Sequence, residues 1–403
     1  MFKTLFLKEC KEMLKSITYY IFLACTIIFF VSQMADFKGV AKPIQGQENY
    51  GFKYSGDESV IMQSTINKLA SELSLNSFPT YPIMFYKEVK LKDEEMSKVY
   101  EILKDITGIN KEQLIKEIEN HNNTGDNRFV NSIKVKDNIK FQEFSEKMNK
   151  IDDILGGGSY YNSKKLYGNG EAKRTYEDAL KDYESIINND KVSRAYARLF
   201  SDYMGIVLAI LPIFLAVTRV LKDKRAKAAQ VIFSKKCSST VIILSRYLAI
   251  ISMIIFPLIL ISITPTLQSI YSADSNGITA DYFAFIRAIF GWLMPSVLVT
   301  VSMGFFLTEL TNGPVAILVQ GIWWFVSISL GGSNLVGNVG MNLIPRFNAL
   351  GSYDIYNKIF NELVINRVLY SIVAIVLIVG TIFIYDTKRK GELNLNGKIL
   401  KNS

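Results

Sequence analysis

Few residues in this chain are of types that do chemistry, and their spacing narrows the choice further. The one histidine, His121, lies in a polar stretch, and the cysteines Cys10, Cys25 and Cys237 are scattered. Neither set has metal-ligand spacing, so metalloprotease chemistry, which needs paired histidines, has no ligands. Serine hydrolysis in a membrane fails for want of a histidine base, and the Gly-Gly-Ser at 331–333 reads as a helix end. The triple glycine Gly156–Gly158, followed by Ser159, Tyr160 and Tyr161, lacks the Gly-Lys-Ser/Thr that completes a phosphate-cradling loop and reads as a flexible hinge. No Gly-x-x-x-x-Gly-Lys-Ser/Thr occurs, so the chain is not expected to be an enzyme, and any ATP-derived energy has to come from a partner.

The most specific pattern runs from Arg219 to Ala249. Lys222, Asp223, Lys224, Arg225 and Lys227 leave an apolar stretch; Gln230, Val231, Ile232 and Phe233 make a short amphipathic helix. Ser234, Lys235 and Lys236 form a turn, and Ser245 and Arg246 open the next apolar stretch. An apolar centre flanked by cations suits docking in a cleft of another protein, with Lys and Arg fixing register at the rim. The competing reading is that the cations only enforce topology and bind anionic lipid, but topology alone has no use for Val231, Ile232 and Phe233.

The elements that position this loop are apolar. Of 403 residues, 49% are hydrophobic, and they are clustered. A bilayer-spanning helix needs roughly 20 apolar residues. Six stretches approach that: Ile17 to Met34, Tyr203 to Thr218, Tyr247 to Ile270, Ala288 to Thr308, Pro314 to Leu330 and Val368 to Tyr385. The first follows a basic stretch, as a secretory signal would, but its run is long and Ser32 to Ala35 offers no small-x-small cleavage site, so it reads as a retained span.

The formal charge of +9 falls unevenly. Residues 35–200 nearly balance, whereas Lys3, Lys8, Lys11 and Lys15, the loop after the second span, and Lys388, Arg389, Lys390, Lys398 and Lys401 are basic. Both termini and that loop are therefore expected in the cytoplasm of a cell-membrane protein, and the basic excess orients the chain without implying a nucleic-acid partner. The Lys-, Ile- and Asn-rich composition points to a low-GC bacterium.

The expected fold class is an all-α polytopic membrane protein with six transmembrane helices and a mainly helical extracytoplasmic domain. Its parts are an interfacial amphipathic helix at 1–16, span one at 17–34, the extracytoplasmic domain at 35–200, spans two to six within 201–388 with a cytoplasmic loop at 221–240, and a tail at 389–403. Phe2, Leu5, Phe6, Cys10, Met13 and Ile17 give the first helix its apolar face, serving either as an anchor or as a lever that touches a partner. In the domain, Met96, Val99, Leu103 and Ile106 keep helical spacing, as do Phe141, Phe144, Met148, Ile151 and Leu155, and Tyr176, Leu180, Tyr183 and Ile187. Turns fall at Pro79–Pro82, Asn122–Asp126 and Asn188–Asp190, and Phe129–Ile139 could hold a short strand pair.

Pro212, Pro257, Pro265 and Pro295 interrupt regular helix, while Gly291, Gly304, Gly321 and Gly380 allow close backbone approach. No Asp, Glu or His lies inside the six stretches, which argues against coupling to protons or sodium. Gln320, Trp323, Trp324 and Phe325 form the richest patch for a substrate path, with belt or packing residues as the alternative.

The loop resembles the coupling loop of ABC type 2 exporter permeases, in which a charged run leads to a Gly-Thr-Glu-Leu-like helix, a Ser-x-Pro turn and a Gly-Lys. Asp223 and Arg225 match the charged run, Gln230 the helix acid, Val231, Ile232 and Phe233 the apolar face, Ser234 the turn serine and Arg246 the basic residue after Ser245. Lys227 stands in place of the usual Gly and Lys236 of the usual Pro. The layout also matches at low resolution, with a large insertion between spans one and two. The resemblance implies a permease that works with two copies of a separate ATPase carrying ATP and Mg, with a second permease copy or a similar permease, and in contact with membrane lipid. A membrane receptor or scaffold whose external domain binds a ligand without transport is the alternative.

Overall fold

The structure is a computed structural model that describes residues 1–35, 39–82, 86–122, 133–226, 229–331, 336–344, 346–347 and 350–392. Lys227, Lys398, Lys401 and parts of the stretches 122–126, 129–139 and 331–333 lie outside the described residues.

In chain order, α1 (Phe2–Met13) and α2 (Ile17–Met34) come first. The segment that follows holds β1 (Phe52–Tyr54), α3 (Glu58–Leu75), β2 (Phe78–Thr80), β3 (Lys87–Val89), α4 (Asp93–Thr107), α5 (Lys111–Asn122), α6 (Phe141–Ile154) and β4 (Glu171–Lys173). Next are α7 (Tyr176–Asn188), α8 (Ser193–Leu208), α9 (Pro212–Arg225), α10 (Ala229–Phe233), α11 (Ser239–Ser275) and α12 (Ala284–Ala288). A π turn at Ile289–Leu293 leads into α13 (Met294–Thr311), followed by α14 (Val315–Gly331), β5 (Val336–Asn338), β6 (Arg346–Phe347) and α15 (Tyr353–Arg389). The chain is mostly helical and divides into two units, Met1–Lys42 with Leu180–Ser403, and Pro43–Ala179.

Pro43–Ala179 is a helical unit with its own core. Ile61, Ile66 and Leu69 of α3, Leu103 and Ile106 of α4, and Phe144, Met148 and Ile151 of α6 are buried together, as the three-to-four spacing on α4 and α6 requires. The strands only staple this core: β1 pairs with β4 and β2 with β3, both antiparallel. Residues 133–139 contain no strand, and His121 falls in the last turn of α5 rather than in a turn. The triple glycine is a pinned turn, not a hinge. Gly156, Gly157 and Gly158 have φ of 85°, 84° and 83°, which L side chains rarely adopt, and Gly158 accepts a hydrogen bond from Tyr81 at 2.9 Å. Buried Asp152 of α6 closes the turn by accepting from the amide and hydroxyl of Ser159 at 2.7 and 2.6 Å.

The other unit is a helix bundle. Among the described residues, five helices are long and apolar enough to cross a membrane: Ile17–Met34, Ser193–Arg225, Ser239–Ser275, Ala284–Thr311 and Tyr353–Arg389. The apolar α14 is shorter. At 37 residues each, α11 and α15 reach ~55 Å, well beyond the ~30 Å of a hydrocarbon core, so hydropathy locates only the middle of α11 and the C-terminal half of α15. The second long helix likewise starts at Ser193, and it takes in buried Asp202, an acid that the narrower apolar stretch had left out.

Two of the four prolines coincide with an irregularity and two do not. Pro212 begins α9 and breaks it from α8, and the carbonyl of Ala209 left at the break accepts from Gln320 Nε2 at 2.6 Å. Pro295 has no N–H to close an α-helical turn, and a π turn precedes it. Pro257 and Pro265 lie inside continuous α11. Helix α13 packs on α9, α14 and α15, and Gly304 lets it approach Ala216 of α9 so closely that a Cβ would lie 2.5 Å from that methyl.

Candidate functional site

The short helix α10 of the basic loop is fixed by the end of α15. Carbonyls at a helix end lack intrahelical partners. Here Arg389 supplies them: its guanidinium donates to the carbonyls of Phe233 at 2.9 Å, Lys235 at 2.6 Å and Cys237. One turn earlier, Tyr385 meets the Phe233 ring edge-on with centroids 5.4 Å apart. Asp386 accepts from Ser239 Oγ at 2.7 Å, and Ser238 caps α11 by accepting from the amide of Val241 at 3.2 Å.

An ion network ties the helices on either side of the loop to each other and to α1. Arg246 of α11 pairs with Asp223 of α9, Arg219 pairs with Asp223 at 3.1 Å, and Glu9 of α1 takes Arg219 Nη2 at 2.6 Å. Arg246 also lies 3.7 Å from Glu9. Their side chains are only 7 to 21% exposed, so the network is largely desolvated, and its two carboxylates balance its two guanidiniums. At the edge, Lys222 binds Glu12 of α1 at 2.6 Å and holds that carboxyl below the usual range.

The sequence-derived coupling residues divide into two groups. Asp223 and Arg246 are interior clamps, and Ile232 and Phe233 are half-buried against the bundle. Val231 is 60% exposed, Arg225 and Gln230 are exposed, and exposed Ser234 donates to the Val231 carbonyl at 2.9 Å. Of Val231, Ile232 and Phe233, only Val231 is turned outward. Sequence spacing assigns no clamping role to Glu9, Arg219 or Arg389, although Glu9 carries a signal. It sits four residues from both Leu5 and Met13, on the apolar stripe of α1, where a carboxylate needs a cation.

Comparison with protein-family models, with curated proteins and with solved structures finds no match to this chain. The functional reading therefore stands on the site's own geometry.

A cavity of about 300 Å³ opens beside α10, between the ends of α9, α11, α13 and α15. Val220, Leu221, Ile232, Phe233 and Tyr385 give it apolar walls, and Asp223, Arg246, Glu309 and Lys388 line it as paired charges. Farther along the bundle, the sequence-derived path residues make internal contacts. Gln320 is fully buried at the α8–α9 break, Trp324 Nε1 donates to the Ile206 carbonyl at 2.8 Å, and Trp323 packs 5.7 Å from the Tyr370 ring. Phe325 is half-buried on the same helix. Arg367 is 4% exposed and gives its donors to Ser296 Oγ at 2.7 Å, to Asn366 and to the carbonyls of Trp292 and Leu343, which ties segment 339–344 to the bundle.

The inserted unit has its own polar interior. Tyr161, fully buried, donates to Glu72 Oε2 at 2.6 Å, and Lys68 lies one helical turn from Glu72 with its ammonium 3.7 Å from the centre of the Tyr160 ring. Burial pushes the Glu72 carboxyl up to about 7, while the Tyr161 hydrogen bond and the Lys68 charge pull it down. Burial also lowers the Lys68 ammonium, against the pull of Glu72 and Glu171. No group of three or more His, Cys, Asp or Glu able to hold a metal occurs among the described residues.

Proposed function

We propose that the chain is the transmembrane permease subunit of an ATP-driven exporter of the ABC type 2 kind. It moves a peptide, drug, lipid or ion out of the cell with two copies of a separate ATPase and a second permease. One observation carries the reading: α10, with Val231 exposed, is fastened to α15 by Arg389 and sits between helices α9 and α11 that Asp223 and Arg246 lock together. A partner pressing on Val231 moves whole helices, which is what force transmission needs.

In this reading α14 is the sixth span, the Pro43–Ala179 unit is extracytoplasmic, and α1, α10 and both termini face the cytoplasm. The basic residues Lys222, Lys224 and Arg225 at the end of α9 support that orientation. ATP and Mg belong to the partner, and Arg225 and the lysines of the loop fix its register. The receptor reading draws on a different observation, that the inserted unit has a core of its own and could bind a ligand without transport.

The test is affinity purification of the tagged chain from its native membrane in mild detergent. A stoichiometric ATPase that accompanies the parent and is lost with Val231→Asp supports the exporter. Ile232 and Phe233 are poor test positions because they pack inward. An ATPase absent from the parent preparation moves the receptor ahead.

A further inference from the structure

We propose that the cavity beside α10 is a binding site for a phosphate-bearing anion, and this holds whether or not an ATPase docks on Val231. Of the charges that line it, Asp223 is matched by Arg246 and Glu309 by Lys388, whose ammonium is 3.4 Å from Glu309 Oε2. What remains over is donor capacity. Lys224 has no carboxylate partner among the described residues and bonds only to the Asn312 carbonyl at 3.3 Å.

Asn312 ends α13 in the left-handed region and turns its Oδ1 to Lys388 at 2.9 Å. Lysine only donates, so the amide nitrogen is the free end, and Asn312 Nδ2 is buried without a partner. Thr308, one turn earlier and 1% exposed, has a buried hydroxyl with no partner either. Buried polar atoms are nearly always satisfied, so unpaired groups at a cavity wall beside an unmatched ammonium call for a ligand that accepts several hydrogen bonds and carries negative charge. A phosphate group does both, and the volume of about 300 Å³ leaves room for an organic portion against Ile232 and Phe233.

The anion can be free phosphate or the headgroup of an anionic lipid, and the experiment separates them. The purified, delipidated chain is tested with inorganic phosphate by equilibrium binding, and with phosphatidylglycerol against phosphatidylcholine by native mass spectrometry. Lys224→Gln and Asn312→Asp are compared with the parent and with Lys3→Gln, which removes an exposed charge on α1 away from the cavity. Aspartate tolerates the left-handed backbone at 312, and Lys224 is exposed, so that variant keeps the fold even where the other does not. Each cavity variant should weaken binding about tenfold, the loss expected for one hydrogen bond to a charged group, with Lys3→Gln unchanged. Binding of inorganic phosphate with that pattern identifies a free anion; phosphatidylglycerol over phosphatidylcholine, with no phosphate binding, identifies a headgroup. If neither anion binds, or if both cavity variants bind as the parent does, the proposal falls.

Discussion

Arg389, in the last turn of α15, donates from Nε to the Phe233 carbonyl at 2.9 Å, so the final helix of the bundle holds a five-residue helix from the loop between α9 and α11. A guanidinium presents donors in a fixed planar fork, which suits three carbonyls pointing one way; an ammonium is a single point. Helix α10 is too short to be stable alone and depends on this clamp.

Arg389→Gln should therefore release the loop while leaving the bundle folded. Hydrogen exchange at 229–238 should rise about tenfold, matching loss of a charged hydrogen bond, and Arg389→Lys should restore only part of the protection. Exchange unchanged in Arg389→Gln would remove the clamp from the account.

How far the sequence foretold this arrangement depends on what each element is made of. The periodicity of Met96, Val99, Leu103 and Ile106 places α4, because a one-sided helix buries its apolar face whatever surrounds it. Ile17–Met34 agrees with α2 at both ends, since charged residues lie just outside it in sequence. Helices α11 and α15 run past their apolar stretches, and α15 does so mainly at its N-terminal side, because polar helical turns carry no hydropathy signal. At the loop, the amphipathic pattern at Val231, Ile232 and Phe233 locates α10, but not which of the three faces outward. That is decided by Tyr385 and Arg389, far away in sequence. The pairing of Glu9 with Arg219 was equally hidden, because an ion pair between distant helices leaves no local spacing.

The network of Glu9, Arg219, Asp223 and Arg246 is neutral as a whole, and that sets the outcome of removing charges from it. Asp223→Asn leaves two guanidiniums facing one carboxylate and should cost about 3 kcal/mol. Asp223→Asn with Arg246→Gln leaves the neutral Glu9–Arg219 pair and should cost less than the sum of the single changes by about 1 kcal/mol or more. Thermal unfolding in detergent, followed through the tryptophans Trp292, Trp323 and Trp324 of the bundle, measures all three. Strict additivity would mean that the charges do not act as one network.

Glu72 makes the inserted unit sensitive to pH in a defined direction. Its carboxyl titrates at about 7 in the folded state and near 4.5 when solvated, so the folded state holds the proton more tightly. The stability from the protonated form is complete below the solvated value and is lost as pH rises through about 7. Lys68, whose ammonium is depressed by burial, contributes with the opposite sign. All the tryptophans lie outside Pro43–Ala179, so pulse proteolysis of the full chain is the suitable probe. Cleavage within 58–75 should increase from pH 5 to pH 8 in the parent, and Glu72→Gln should flatten that rise; a parent profile already flat over this range would contradict the buried position of the carboxyl.

Packing of α13 on α9 turns on a missing methyl. A Cβ at Gly304 would lie 2.5 Å from Ala216 Cβ and 3.1 Å from Ile213 Cδ1, and neither neighbour is the tip of a long flexible chain. Gly304→Ala should therefore destabilise the bundle by about 1–3 kcal/mol, as overpacking of a filled core does. Gly291, where an added Cβ meets nothing within 4 Å, is the comparison, and Gly291→Ala should stay within about 1 kcal/mol of the parent. The decisive variant is the exchange, Gly304→Ala with Ala216→Gly, which moves the methyl from one helix to the other and keeps their separation. Unfolding temperatures that recover in the exchange show that backbone approach at this crossing requires one glycine, on either helix; recovery no better than the single Gly304→Ala variant would place the cost elsewhere, at Ile213.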